Sequence, residues 1–198
     1  MFVKNQFRWK WIKRSKKKSQ KEKTKKKQNS HLVSIKDCFA YYDKLFIVFE
    51  YFQNGSLQDI LTKLSKQKHQ KGLSEQHLQI LLKQILLIVK EIHCRGRIIK
   101  DLKVSKFFST SNGTLRLLDF SFGHSVIANK QNNKSHYSGE PTYLSPETID
   151  KSVFTQKSDI WAIGIIAIIM FDGHSPYDKS TCHSDTIFRI VKQDFPLP

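Results

Sequence analysis

IIKDLKVSKFF (residues 98–108) is followed, after eight intervening residues, by LLDFSFG (residues 117–123). Two short strands are expected near residues 106–109 and 114–118, joined by Ser111-Asn112-Gly113, because Asn-Gly suits the positive φ of a tight hairpin turn. The hairpin leaves one carboxylate ahead of it, Asp101, and one behind it, Asp119. Three lysines, Lys100, Lys103 and Lys106, share the first stretch with Asp101. In isolation two such acids are ordinary loop residues. Their surroundings, given below, weigh against that plain reading.

Working outward, the flanking segments read mostly as helix. Ser74 is placed to cap a long helix running to about His93, with Leu78, Leu81, Leu82, Ile85, Leu86, Val89 and Ile92 at helical spacing. Residues 160–171 are apolar on every side, which predicts a central buried helix ended by Asp172-Gly173. Towards the N-terminus, residues 32–41 and 45–51 are rich in Val, Ile, Phe and Tyr, with Asp43-Lys44 between them, the pattern of a hairpin. Asn54-Gly55 marks a turn, and Ser56 caps a short helix over 57–64. A long irregular stretch spans 119–146, and a last helix is expected over 185–192.

Charge is unevenly spread. The 198 residues carry a formal net charge of +17, yet residues 1–27 alone hold 13 basic residues against Glu22, a net of +12. The rest holds 21 basic and 16 acidic residues, a net of +5. Residues 1–30 are therefore expected to form a basic, low-complexity tail. So many like charges cannot pack, so 13–27 should be disordered in isolation. A solvated tail is the plain reading. A nuclear-import signal, or weak contact of residues 4–27 with nucleic acid or an acidic lipid surface, are the alternatives. Cys38, Cys94 and Cys182 are far apart and odd in number, which argues against a disulfide framework or a zinc site and fits a reducing, intracellular setting, cytoplasmic or nuclear. The N-terminus has no apolar stretch after its charges, and the longest apolar run is too short to span a bilayer, which needs about 20 residues.

Five segments, in order, resemble the protein kinase family. IVFEYFQNGSL (residues 47–57) resembles the hinge. IIKDLKVSKFF resembles the catalytic loop, and LLDFSFG the Asp-Phe-Gly motif. SGEPTYLSPE (residues 138–147) resembles the segment ending in Ala-Pro-Glu, and KSDIWAIG (residues 157–164) the start of the buried central helix. The surrounding residues lean towards the NIMA-related kinases. The resemblance implies an α+β fold with a mainly helical large lobe over residues 53–198 and a small β-hairpin remnant of the small lobe over 31–52. It implies ATP and Mg²⁺ as cofactors and a protein substrate or docking partner. Adenine would meet the Glu50 carbonyl and the Phe52 amide, with Phe49 behind and Phe108 below. Asp101 would accept or position the proton of a substrate hydroxyl. Lys103 would neutralise the moving phosphoryl group, which is the serine/threonine pattern. Asp119 would hold Mg²⁺, and Asp159 would bond the catalytic-loop backbone from below.

Several departures stand against activity. The Gly-rich loop, the phosphate-gripping lysine and the helix that pairs with it have no counterpart, and the resemblance begins at His31. Lys106 replaces the Asn that ligates a second metal, and an ammonium has no acceptor. Ile99 and Lys100 replace His-Arg, with Ile99 expected under Phe120. Ser121 replaces a Gly, and Glu140 replaces a Thr, where it would repel Asp101 or trap Lys103. Glu147 lacks its later Arg partner, a loss worth about 3–5 kcal/mol if the carboxylate is buried. One flank of residues 160–171 should be bare. A phosphate on Ser135 would pair with Lys100, although ordinary polar residues explain that loop equally well. His93 is expected to pack. The sequence thus predicts a kinase-family domain with little phosphoryl transfer, or a pseudokinase that docks a partner without chemistry.

Overall fold

Reciprocal side-chain caps fix the starts of two helices that frame the molecule. The computed structural model describes residues 2–5, 8–11, 31–42, 44–66, 72–118, 140–178, 180 and 182–192. Helix α1 (Leu57–Ser65) begins where the Asp59 amide donates to Ser56 Oγ at 3.2 Å and the Ser56 amide donates to Asp59 Oδ2 at 2.7 Å. Helix α4 (Gln156–Asp172) uses Thr155 and Ser158 in the same reciprocal way. It stops at Gly173, whose φ of 78° is the left-handed conformation that a residue without Cβ adopts freely.

Helix α2 (Glu75–Cys94) lies against α4 and buries Ile85, Ile88 and Val89. Leu86, expected on the buried face, is 45% exposed, whereas Ile88 is buried. The core lies between α2, α4 and a hairpin of β5 (Phe107–Ser109) and β6 (Leu115–Leu117). Phe107, Leu117, Ile166 and Met170 are fully enclosed there. Each such side chain contributes about 1.5–3 kcal/mol through removal from water. The hairpin pairs Phe107 with Leu117 and Ser109 with Leu115, within a residue of the expected bounds.

A four-stranded antiparallel sheet has the order β2-β1-β4-β3, built from β1 (Phe2–Asn5), β2 (Arg8–Trp11), β3 (Ile35–Tyr41) and β4 (Lys44–Phe49). The β3–β4 hairpin is the one expected. Residues 2–5 and 8–11 differ from expectation, because they join the sheet instead of standing apart in the basic tail. Their sequence contains the reason: Arg8-Trp-Lys-Trp11 alternates polar and aromatic, the period of a strand. The β4 strand would otherwise present an open edge. Residues 13–27 lie outside the described residues.

Residues 31–33 tie the sheet to the helical part. The Val33 amide donates to the Leu117 carbonyl at 3.0 Å, and the Leu117 amide to the His31 carbonyl at 2.9 Å. Helix α3 (Pro146–Lys151) falls at the end of a stretch expected to be irregular. Helix α5 (His183–Val191) closes the described chain.

Candidate active site

The loop between α2 and β5 hangs from one buried acid. Asp159, in the first turn of α4, is 2% exposed. Its Oδ2 accepts from the Ile99 amide at 2.9 Å and its Oδ1 from the Lys100 amide at 3.1 Å. The resemblance implied this anchoring. It did not imply the role of His93, whose Nε2 lies 2.7 Å from Asp159 Oδ2. His93 was expected only to pack. Its position at the last turn of a helix that faces the acid-bearing start of another was the available signal. Gln156 Nε2 adds a bond to the His93 carbonyl at 2.9 Å.

Lys100, next to Asp101, takes a left-handed conformation, φ 64°. Its Nζ lies 5.3 Å from the centre of the Phe154 ring, and burial lowers its pKa. Ile99 is buried, while Phe120, its expected neighbour, and Ser135 lie outside the described residues.

Asp101 sits between two ammonium groups. Lys106 Nζ is 3.0 Å from Asp101 Oδ2, and Lys103 Nζ is 3.4 Å from Oδ1. Burial pushes the Asp101 carboxyl up, but Lys106 and Lys103 together outweigh it and hold the group below its ordinary value. The structure therefore keeps Asp101 ionised at neutral pH, as an acceptor of a hydroxyl proton must be. Tyr143 packs behind the loop. Burial first, then the negative charges of Glu140 and Asp101, raise its pKa, so the hydroxyl stays neutral. Glu140 Oε1 accepts from Thr142 Oγ1 at 3.4 Å.

Beside this loop is a cleft of about 410 Å³, lined in part by Phe49, Phe52, Ser56, Ser105 and Phe108. Phe52 and Phe108 have ring centres 5.2 Å apart, and Phe49 and Phe108 6.4 Å apart. Val33 and Leu118 complete the apolar shelf. All three predicted aromatic residues thus converge on one cavity. The Glu50 side chain forms an ion pair with Arg116 of β6, a contact the sequence reading missed. Residues 53–56 join the floor through the Ser109 amide, which donates to the Gly55 carbonyl at 3.1 Å.

Asp119 and Ser121 lie outside the described residues, so the expected magnesium ligand is not placed. A second metal does not fit what is described. The residue in the ligand position is Lys106, and its donors point at Asp101. Among the described residues no group of three or more His, Cys, Asp or Glu could hold a metal ion. Glu147 corrects another expectation: it is exposed, so it carries no buried-charge penalty. A carboxylate without a cation keeps its hydration by staying at the surface.

Comparison with known proteins agrees with this architecture. The family model described as protein kinase domain matches residues 4–196. The serine/threonine-protein kinase pakA of Talaromyces marneffei is 29% identical over 153 residues, 77% of this chain and 23% of that protein. The serine/threonine-protein kinase ste20 of Emericella nidulans is 29% identical over 77% of this chain and 17% of its own length. The serine/threonine-protein kinase PAK 1 of Mus musculus is 29% identical over 76% of this chain and 26% of its own length. The chain thus spans about a quarter or less of these relatives. Their names give no support to the leaning towards NIMA-related kinases. With its anchored loop, aromatic cleft and matched sequence, the chain belongs to the protein kinase family, and the relatives it matches are serine/threonine kinases.

Proposed function

We propose that this domain binds ATP in the aromatic cleft and transfers its γ-phosphate slowly to serine or threonine hydroxyls of a protein. The observation that carries this reading is Asp101, presented by the Asp159-anchored loop with Lys103 Nζ 3.4 Å away, beside a cleft lined by Phe49, Phe52 and Phe108. The base would lie between the apolar rings, with the Glu50 carbonyl and the Phe52 amide reading its edge. Asp101 would orient the substrate hydroxyl and take its proton. Lys103 would offset charge on the phosphoryl group as it moves. Asp119 would hold Mg²⁺, which screens the phosphates when bound. Transfer is slow in this reading because Lys106 occupies an oxygen of Asp101 that a hydroxyl would use.

A transfer assay with radiolabelled ATP and a generic basic protein substrate tests it. The wild-type chain should incorporate label, and Asp101→Asn should reduce the rate by about 10²-fold or more. Undiminished transfer by Asp101→Asn would refute it.

A second reading, a pseudokinase that docks a protein without chemistry, is favoured by the same Lys106 contact. It predicts no incorporation. An intracellular location belongs with either reading, as does contact of residues 4–27 with an acidic surface. Among the described residues no helix is long and apolar enough to cross a membrane.

A further inference from the structure

The tip of the β3–β4 hairpin has a composition that folding alone does not explain. Tyr41 pairs with Lys44, which leaves Tyr42 and Asp43 for the turn. Tyr42 holds φ at 53°, in the left-handed region that Gly, Asn and Asp adopt readily and a tyrosine adopts under strain. No burial offsets that strain, because Tyr42 is 87% exposed. Tyr41 and Leu45 are 60% and 58% exposed. Tyr41 meets Tyr42 edge-on with ring centres 4.5 Å apart, and Phe39 stacks on Phe46 at 5.3 Å. Alternation along the strands puts Phe39, Tyr41 and Phe46 on one face and Leu45 on the other. A tip that is apolar on both faces is built to enter something rather than to lie against one layer. Strain held at an exposed aromatic residue points the same way.

Cationic residues share that end of the sheet. Phe2 lies opposite Phe49 and Lys4 opposite Ile47, so the Asn5–Arg8 end of the β1–β2 hairpin falls towards the tip. Lys44 belongs to the tip itself, and residues 1–27 carry a net charge of +12. We propose that the β3–β4 tip inserts Tyr41, Tyr42 and Leu45 into the interface of an anionic phospholipid bilayer, to which the basic N-terminal residues draw the chain. The inference rests on the acidic-surface contact above, adds the element that enters the surface, and is independent of the nucleotide site. Charge and chemistry select this occupant. A second copy would bring a further +17 and be repelled. A single-stranded nucleic acid offers bases for rings to stack on, but it has no apolar layer for Leu45. A bilayer interface takes all three groups: tyrosine rings at the headgroup boundary with their hydroxyls in water, leucine among the acyl chains, and cations on the phosphates. A small apolar anchor and a basic segment are each weak alone and hold together.

Vesicle co-sedimentation of the full chain tests this, with phosphatidylcholine vesicles and with vesicles containing about 30% phosphatidylserine. Wild type should bind the anionic vesicles at least about tenfold more tightly. Tyr42→Asn should weaken that binding by about threefold, while its melting midpoint holds or rises because Asn suits the left-handed turn. The triple variant Tyr41→Ser, Tyr42→Ser, Leu45→Ser should weaken it by about tenfold or more, with circular dichroism reporting that it folds. Folded variants that bind anionic vesicles as wild type does overturn the inference and leave the contact of residues 4–27 standing. Equal wild-type binding to both kinds of vesicle overturns the inference, and binding to neither overturns it together with contact to acidic lipid. Hairpin-dependent binding of a single-stranded oligonucleotide, with vesicles unbound, overturns it in favour of nucleic acid.

Discussion

One buried carboxylate organises the residues around it. Asp159 accepts three hydrogen bonds, two from amides and one from His93, and has almost no contact with water. Asp159→Ala removes the acceptor of those amide bonds, and hydrogen bonds to a charged group are worth about 1.5–3 kcal/mol each. A loss of about 3 kcal/mol or more is expected in urea denaturation, with His93→Ala costing less because the two amide bonds survive. The resemblance to the protein kinase family singled out Asp101, Lys103 and Asp159, and marked Lys106 as a departure from the family pattern. It missed His93 as the partner of Asp159 and Arg116 as the partner of Glu50. Both contacts join residues 66 positions apart, and no local pattern reports such a meeting. The burial assumed for Glu147 was wrong for a related reason: exposure depends on neighbours, not on the motif.

The elements divide in the same way. The β5–β6 hairpin and the extents of α1 and α2 follow from turn residues and period; Ser56 caps α1 as expected, whereas the Ser74 side chain makes no capping bond at the start of α2 and meets His77 instead. The pairing of β1 with β4 and of β2 with β1 does not, because a dense basic run from Lys13 overshadows a short alternation of aromatic and basic residues. Helix α4 shows what an all-apolar sequence implies when one flank is uncovered. Ala162, Ile163, Ile166 and Met170 are buried, yet Ile160 is 53% and Phe171 56% exposed. Leu86 of α2 lies near Ile160, and together they line a second cavity of about 440 Å³ with Val89 and Ile163. Since Leu86 and Ile160 are about half exposed, polar replacements should cost little, within about 0.5 kcal/mol for a surface position. The double variant Leu86→Ser, Ile160→Ser should therefore bind less of a hydrophobic dye and stay soluble at higher concentration, with its denaturation midpoint nearly unchanged. A large fall in that midpoint would show that the flank is covered.

At the scale of the whole molecule, charge and chemistry occupy different regions. The net charge belongs largely to residues 1–27, while the site sets one acid against two lysines beside an apolar cleft. The central claim is that this cleft and that charged loop form one nucleotide site. A crystal structure of the chain with a non-hydrolysable ATP analogue tests it most directly. The base should lie among Phe49, Phe52 and Phe108, with a terminal phosphate oxygen in hydrogen-bond contact with Lys103, and Lys106 still on Asp101. An analogue bound elsewhere, or phosphates directed away from Lys103, would contradict the claim.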